Sequence, residues 1–161
     1  MNIQKTFETA NGYLEPYISL RGHTGPVLSI TGPKLQGDSN SASNKMISKL
    51  IFTAGVDGQI RVWNIPQFNK EDKYPTTGGR NFCVGLWNDG VKEPYWNIDY
   101  HHFSPLLVAV KANAKVQVWN CEDIIEKAES YDFADEKKRQ ENFVKNDKPM
   151  KEYELTVNDK V

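Results

Sequence analysis

The sequence predicts an all-β protein, because one β-hairpin pattern dominates its middle and partly recurs later in the chain. Residues 50–64, LIFTAGVDGQIRVWN, indicate an apolar strand, an Asp-Gly turn and a second strand rich in β-branched and aromatic residues. The Val-Trp-Asn ending at 62–64 recurs at 118–120. A hairpin pattern that recurs within one chain favours a fold made of repeated small antiparallel sheets.

A Gly-His dipeptide, Gly22-His23, lies ahead of the hairpin and is followed by an apolar segment at 27–31. A Gly-His, a short apolar strand, a strand carrying Thr, an Asp-Gly turn and a strand ending in Trp-Asn form the signature of one WD-repeat propeller blade. This first blade is predicted at residues 23–87. Its four strands are predicted at 27–31, 47–54, 59–64 and 81–87, with long connections at 32–44 and 65–79. A strand at 17–20 would belong to a preceding blade.

A second blade, predicted at 94–157, is a degenerate copy of the first. Asn113 replaces Asp57, Ala109 replaces Thr53, and no Gly-His precedes the copy. Its strands are predicted at 95–100, 106–110, 115–119 and 151–157.

The segment 121–148 is a highly charged insertion in the second blade. It predicts a short helix, because Ile124, Ile125 and Ala128 have helical spacing, and its charged run at 135–139 is interpreted as a solvated helix face. In an up-and-down blade, the connections after the first and third strands emerge at the same end, and all three long connections are of this kind. We therefore expect them to share one face that docks partners, since binding residues concentrate on loops held by a rigid scaffold.

The predicted domain division is a polar lead-in at 1–13 and a partial WD-repeat propeller at 14–161. A blade takes about 40 to 45 residues, and closed propellers use about four to eight blades. About two blades make an incomplete propeller, and an open pair would expose sheet faces and strand edges. We therefore expect the chain to be a fragment of a longer protein, with completion of the ring by other chains as the alternative.

The composition disfavours several classes of function. The chain has 20 basic and 21 acidic residues, so no attraction to nucleic acid or to a membrane surface is expected. Cys83 and Cys121 are too few for a disulfide framework and lack metal-ligand spacing, which favours a reducing compartment. No apolar run approaches the roughly 20 residues of a membrane helix. We expect a soluble cytoplasmic protein without direct membrane insertion, cofactor or metal.

Four residues of the first blade, His23, Thr53, Asp57 and Trp63, form the candidate site. The first three contain the base, the hydroxyl and the carboxylate of a hydrolase triad. In WD-repeat blades these positions, together with Trp63, form a buried structural hydrogen-bond network, and we favour that interpretation. Asp57 would hold the imidazole, and the hydroxyl of Thr53 would link it to the indole N–H of Trp63. No catalytic residue is predicted.

Two further groups of residues are also assigned structural roles. His101 and His102 are adjacent, but no Cys or further His lies near them in the sequence, and neighbouring strand residues face opposite sides of a sheet. A metal site is therefore disfavoured. Trp87, Trp96 and Trp119 are predicted to form core between the blades, because no basic patch accompanies them.

Three segments resemble one propeller blade of the striatin family. They are Glu15-Pro16, residues 21–29 (RGHTGPVLS) and residues 60–66 (IRVWNIP). Striatins are non-catalytic scaffolds that serve as regulatory subunits of protein phosphatase 2A and gather kinases of the germinal-centre class. The resemblance therefore implies a protein-interaction role, with phosphatase 2A subunits and germinal-centre kinases as partners.

Two other classes of function remain as alternatives. One is a generic WD-repeat adaptor, such as a ubiquitin-ligase substrate receptor or a chromatin scaffold. The other, which is the least favoured, is an enzyme.

Overall fold

The computed structural model of the chain describes residues 19–33, 49–65, 82–101, 103–131 and 135–156. The first of its two sheets has the up-and-down order β1-β2-β3-β4, with every neighbouring pair antiparallel. These strands are β1 Val27–Thr31, β2 Leu50–Gly55, β3 Ile60–Asn64 and β4 Cys83–Trp87. The Asp-Gly turn between β2 and β3 holds Gly58 at φ 68°, a conformation that glycine adopts without steric cost.

The second sheet repeats this arrangement in the order β5-β6-β7-β9, again with antiparallel neighbours. Its strands are β5 Tyr95–Tyr100, β6 Leu106–Lys111, β7 Lys115–Asn120 and β9 Lys151–Glu154. In the first sheet Leu50 pairs with Asn64. In the second sheet Leu106 pairs with Asn120 in the same way. Every position of β2 and β3 therefore has a structural equivalent in β6 and β7.

The segment between β7 and β9 leaves the second sheet and packs on the first. It contains α1 Glu122–Glu129, α2 Glu136–Glu141 and β8 Val144–Asn146. β8 pairs in parallel with β4 and so adds a fifth strand to the first sheet. α1 buries Ile124 and Ala128 in the core cluster, which confirms the predicted short helix. Among the described residues, neither helix is long and apolar enough to cross a membrane.

The charged run at 135–139 begins α2. The Asp135 carboxylate accepts hydrogen bonds from the backbone N–H groups of Lys137 and Lys138, at 3.0 and 3.2 Å, and thereby caps the helix. Lys137 and Lys138 are exposed, but Arg139 is half-buried. The prediction of a solvated helix face is wrong for Arg139, because the insertion folds back onto the first sheet and covers one side of α2.

The core lies between the two sheets. Phe52 of β2 stacks on Tyr100 of β5 with 5.6 Å between ring centroids, and Trp87 of β4 stacks on Trp119 of β7 at 5.8 Å. The prediction that Trp87 and Trp119 belong to the core is confirmed. Apolar residues from both sheets and α1 complete the cluster, among them Leu50, Ala54, Ile60, Val62, Val84, Ile98, Leu107, Ala109 and Cys121.

Trp96 does not belong to this core, since it is 59 % exposed. A β-bulge lies between Tyr95 and Asn97 and interrupts the pairing of β5 with β6. Tyr95 and Ile98 remain buried, whereas Trp96 and Asn97 both face outward. The prediction for Trp96 is wrong because a bulge shifts the alternation of inward and outward side chains.

The innermost strands β1 and β5 lie side by side and are joined through side chains. The Ser29 hydroxyl donates to Asn97 Oδ1 at 2.7 Å and accepts a hydrogen bond from the Ile98 amide at 3.1 Å. The Thr31 hydroxyl accepts one from the Tyr100 amide at 3.3 Å. Polar side chains of β1 thus satisfy backbone N–H groups at the free edge of β5.

The all-β class predicted from the sequence is confirmed, and each sheet has the strand order of a propeller blade. The strand predicted at 17–20 has only residues 19 and 20 in the described part, and these two are not in a strand. The lead-in at 1–13 and most of the connections at 32–44 and 65–79 lie outside the described residues. The domain boundaries therefore stay predictions.

Candidate functional site

The structure brings together the four residues of the candidate site. His23 precedes β1, Thr53 lies in β2, Asp57 is in the turn after it, and Trp63 lies in β3. His23 Nδ1 lies 3.0 and 2.9 Å from the two carboxylate oxygens of Asp57, and its Nε2 lies 2.8 Å from Thr53 Oγ1. The indole N–H of Trp63 donates to Thr53 Oγ1 at 2.7 Å. The four side chains form one continuous chain of hydrogen bonds.

A single arrangement of protons satisfies this chain with a neutral imidazole. His23 carries its proton on Nδ1 and donates it to the Asp57 carboxylate, which can only accept. The Thr53 hydroxyl accepts from the indole of Trp63 and donates its own proton to His23 Nε2. Every polar atom of the chain then has a partner, which matters because the His23 and Asp57 side chains are only 7 % and 3 % exposed.

Asp57 also forms hydrogen bonds with two separate backbone segments. It accepts hydrogen bonds from the backbone N–H groups of Thr24, at 3.0 Å, and Gln59, at 3.3 Å. The segment ahead of β1 is thereby held against the turn between β2 and β3. Gly22 lies beside β3, where a Cβ would come within 2.6 Å of Nη1, the movable end of the Arg61 side chain.

The geometry offers no exposed nucleophile at this site. Thr53 is 6 % exposed, and its hydroxyl already bonds to both His23 and Trp63. The nucleophile of a hydrolase must be accessible to the carbonyl group of its substrate, and the buried hydroxyl of Thr53 is not. What this arrangement can do is hold a loop and two strands in place.

The equivalent place in the second sheet lacks the acceptor. The register aligns Ala109 with Thr53 and Trp119 with Trp63. Ala109 has no hydroxyl, and the indole N–H of Trp119 is buried without an acceptor among the described residues. The substitution of Thr by Ala, visible in the sequence, explains this unpaired donor.

A different polar cluster occupies the second sheet, and the sequence analysis did not predict it. Lys111, at the end of β6, is fully buried, and its Nζ lies 2.7 and 2.8 Å from the carboxylate oxygens of Asp89. The same ammonium donates to the carbonyl of Val91 at 3.1 Å and lies 4.8 Å from the centroid of the Tyr95 ring. All three donors of the ammonium thus face electron-rich groups.

Gln117 extends the cluster towards β9. Its amide donates to Asp89 at 2.6 Å and to Glu152 at 2.6 Å, and its carbonyl oxygen accepts from the Tyr95 hydroxyl at 2.8 Å. Glu152 also accepts from Lys115 at 2.6 Å. The cluster therefore joins the segment after β4 to all four strands of the second sheet.

The pKa values of this cluster follow from burial and from these contacts. Burial opposes the charge of Asp89, but hydrogen bonds from Lys111 and Gln117 outweigh it and hold the pKa of this carboxyl below its usual value. Hydrogen bonds from Lys115 and then Gln117 lower the pKa of Glu152. Burial, followed by the negative charges of Asp89 and Glu152, raises the pKa of Tyr95 far above its ordinary range.

One signal in the sequence could have revealed this cluster. In the strand LLVAVK the alternation places Leu107, Ala109 and Lys111 on the buried face. A lysine at a position that faces the core requires a buried carboxylate partner. Asp89, in the turn sequence Asn88-Asp89-Gly90, is one of three carboxylates that precede Lys111 closely in the sequence, the others being Glu93 and Asp99.

The other residues considered as metal ligands are His101, His102, Cys83 and Cys121. His101 Nδ1 lies 2.7 Å from the hydroxyl of Ser104, and His102 lies outside the described residues. In the described ranges, no group of three or more His, Cys, Asp or Glu side chains could hold a metal ion. The thiols of Cys83 and Cys121 are buried, and burial raises the pKa of both, although the charge of Arg61 partly offsets the effect at Cys83.

No family model matches the chain. Striatin-3 of Homo sapiens is 30 % identical over 122 residues, which cover 74 % of this chain and 13 % of the relative. The striatin homolog of Dictyostelium discoideum is 28 % identical over 112 residues, covering 66 % of this chain and 12 % of the relative. An uncharacterised WD repeat-containing protein of Schizosaccharomyces pombe is 26 % identical over 128 residues, covering 74 % of this chain and 18 % of the relative. The chain thus spans less than a fifth of the length of each.

Among solved structures, Chaetomium thermophilum Raptor matches 84 % of this chain and 8 % of its own, with a TM-score of 0.48 and 15 % identity. The Chaetomium thermophilum polycomb repressive complex 2 matches 68 % of this chain and 18 % of its own, with a TM-score of 0.46 and 18 % identity. The fold itself rests on the strand order and register described above. The resemblance predicted from the sequence is confirmed: the chain is similar to striatins and to a WD repeat-containing protein over about two thirds to three quarters of its length.

Proposed function

We propose that the chain acts as a non-catalytic protein-interaction scaffold of the WD-repeat type. The observation that carries the proposal is the outer face of the second sheet. Val108 and Val118 lie there at the positions where the first sheet has Phe52 and Val62. Phe52 and Val62 are fully buried between the sheets, whereas Val108 is 37 % exposed and Tyr153, on the same outer face, is 53 % exposed.

The face that is buried in the first sheet is exposed in the second. We therefore infer that a third sheet covers it. Such a sheet would pack on Val108 and Val118 as the second sheet packs on Phe52 and Val62, in the manner of consecutive propeller blades. A rigid stack of blades then presents its connecting segments to partners, which is where binding residues concentrate.

The polar residues of the first sheet support a structural role over a catalytic one. In this proposal His23, Thr53, Asp57 and Trp63 stabilise the blade by satisfying one another's hydrogen-bonding groups. A purified protein that turned over an ester, peptide or phosphate substrate, and lost that turnover but not its fold in Asp57→Ala, would contradict the proposal.

At a finer level, we propose that the chain helps to assemble a cytoplasmic signalling complex of protein phosphatase 2A with kinases of the germinal-centre class. The support is the similarity to Striatin-3, at 30 % identity over 122 residues, together with the striatin-like segments around Gly22-His23 and Trp63-Asn64. A generic WD-repeat adaptor, for example a ubiquitin-ligase substrate receptor or a chromatin scaffold, is the second candidate. The match to a WD repeat-containing protein of Schizosaccharomyces pombe, over the same share of this chain, favours it.

Affinity capture of the native protein, with an antibody raised against this chain and mass spectrometry of bait and partners, distinguishes these functions. Phosphatase 2A subunits and kinases are expected in the capture and should be absent when the antibody is blocked with the purified chain. Ubiquitin-ligase or chromatin components in their place would favour the generic adaptor. Bait peptides from further WD repeats would identify the sheet that covers Val108 and Val118.

A further inference from the structure

The outer face of the first sheet, which points away from the second sheet, carries exposed apolar side chains. Val27 and Ile30 of β1 are 50 % and 65 % exposed. The register of β1 on β2 matches that of β5 on β6, with a bulge at the same place, so these two residues are equivalent to Tyr95 and Ile98. Tyr95 and Ile98 are buried in the core between the sheets. The outer face of the first sheet therefore repeats a surface that is core in the second sheet.

The outer face of the second sheet repeats the opposite surface of that core. Between the two sheets, the inner face of the first sheet, with Phe52, packs on the inner face of the second sheet, with Ile98. Val108 stands on the outer face of the second sheet at the position of Phe52. The two outer faces thus repeat the two halves of the interface inside the chain, and we expect them to fit each other in the same way.

Hydrogen-bonding groups match across the two outer faces as well. Inside the chain, the hydroxyl of Thr31 accepts from the Tyr100 amide at 3.3 Å. Asp99 is the equivalent of Thr31 in the second sheet and is exposed. Its Oδ1 accepts from Thr31 at 3.2 Å, and its Oδ2 has no donor among the described residues. The equivalent of the Tyr100 amide is the amide of Gly32, the residue after Thr31. One outer face therefore offers an acceptor where the other offers an N–H group.

We propose that a second copy of this chain supplies the covering sheet, so that the outer face of the first sheet in one copy packs on the outer face of the second sheet in another. The inference rests on the proposed role of the chain as a WD-repeat scaffold and names the source of the third sheet. Because one chain presents both halves of the interface, no other polypeptide is needed to cover either face.

The contact between two copies is head-to-tail, because it joins two different surfaces. A pair of copies leaves one outer face uncovered at each end, and such contacts continue until the assembly closes into a ring. Each copy contributes two sheets. Since closed propellers use about four to eight sheets, the ring would contain about two to four copies.

The test is the mass of the purified full chain in solution, measured by sedimentation over a hundredfold range of concentration. We expect the mass to rise from that of the monomer to that of a ring as the concentration increases. Ile30→Glu and Val108→Glu each place a charge in one outer face and should weaken association at least tenfold. Phe103→Glu is the matched control, because Phe103 is 81 % exposed in the connection between β5 and β6, and it should alter association less than twofold.

A mixture of the two variants identifies the head-to-tail arrangement. Ile30→Glu keeps the outer face of the second sheet intact, and Val108→Glu keeps that of the first. Equal amounts of the two should therefore form one-to-one pairs and nothing larger. If circular dichroism shows that Val108→Glu does not fold, Tyr153→Glu replaces it, since Tyr153 lies on the same face and is 53 % exposed.

Four results would overturn the proposal. A chain that stays monomeric at every concentration would assign the covering sheet to another protein or to another part of a longer polypeptide. Association that Ile30→Glu leaves unchanged would exclude the head-to-tail contact, as would a mixture of the variants that forms no pairs. An equal loss in Phe103→Glu would mean that the association is unspecific. The measurement uses no partner protein, so a monomeric chain would leave the capture experiment unaffected, and a failed capture would not change the measured mass.

Discussion

Trp63 donates its indole N–H to the hydroxyl of Thr53 at 2.7 Å, whereas Trp119, its equivalent in the second sheet, is buried without an acceptor among the described residues. The two sheets thus share a backbone arrangement but satisfy their polar groups differently. The first uses a chain of hydrogen bonds that ends in the Asp57 carboxylate. The second uses a buried ion pair between Lys111 and Asp89.

Restoring an acceptor beside Trp119 should stabilise the second sheet. Ala109→Thr adds a hydroxyl at the position equivalent to Thr53, and Ala109→Val is the control of the same shape without it. We expect the Thr variant to be more stable than the Val variant by about 1 kcal/mol, the net value of one hydrogen bond. Chemical denaturation of both variants measures the difference. Equal stability would mean that the indole does not use the new acceptor.

Removing the acceptor beside Trp63 should have the opposite effect. Thr53→Val keeps the shape of the side chain but leaves the indole N–H of Trp63 and one nitrogen of His23 without a partner. Each buried group that loses its partner costs about 1 to 3 kcal/mol. Thr53→Ser retains the hydroxyl and should cost less than Thr53→Val in the same denaturation experiment. A Val variant as stable as the Ser variant would contradict the proposed role of the hydroxyl.

Asp57→Ala should lower stability, because it removes the partner of His23 and the acceptor for the backbone N–H groups of Thr24 and Gln59. Asp57→Asn keeps one oxygen as acceptor and should lose less stability. Thermal unfolding followed by circular dichroism compares the two. Hydrogen exchange should show that the segment before β1 opens first in Asp57→Ala. Unchanged protection of that segment would show that the hydrogen bonds to Asp57 do not hold it in place.

The stability of the second sheet should depend strongly on Asp89, the counter-ion of the buried Lys111. Asp89→Ala leaves the ammonium of Lys111 buried without a carboxylate, and breaking a buried pair from one side costs about 3 to 5 kcal/mol. The double variant Asp89→Ala with Lys111→Met removes both charges and should recover most of this loss. The free energies of unfolding of Asp89→Ala, Lys111→Met and the double variant give the coupling free energy between the two residues. A double variant no more stable than Asp89→Ala would exclude the unpaired charge as the cause.

Acid should weaken the second sheet through Asp89 and Glu152. Both carboxyls have pKa values below the 3.8 and 4.5 of their unperturbed groups, so the unfolded chain takes up protons first as the pH falls. The stabilisation is therefore complete above those values and is lost as the pH drops through the lower values of the folded state. Unfolding measured from about pH 7 to about pH 2.5 should show this loss, with a shallower slope in Glu152→Gln. If the stability of Glu152→Gln falls with pH at the same slope as that of the unchanged protein, Glu152 does not contribute to the loss in acid.

Local patterns in the sequence were enough to predict the hairpins and the first polar site. The alternation of side chains and the Asp-Gly turn act over a few residues, so the strands at 27–31 and 95–100 could be predicted with their bounds. The residue types at His23, Thr53, Asp57 and Trp63 belong to one repeat signature, and their meeting follows from its register.

Other features depend on contacts between distant segments, which no local pattern encodes. Lys111 meets Asp89 only because the two sheets stack, and a bulge decides that Trp96 points outward. β8, with three residues, carries too little pattern to predict a strand, and it forms because the edge of β4 offers unpaired backbone groups within reach of the insertion. The return of the insertion to the first sheet therefore depends on backbone hydrogen bonding at a sheet edge, which exists only once the sheet has assembled.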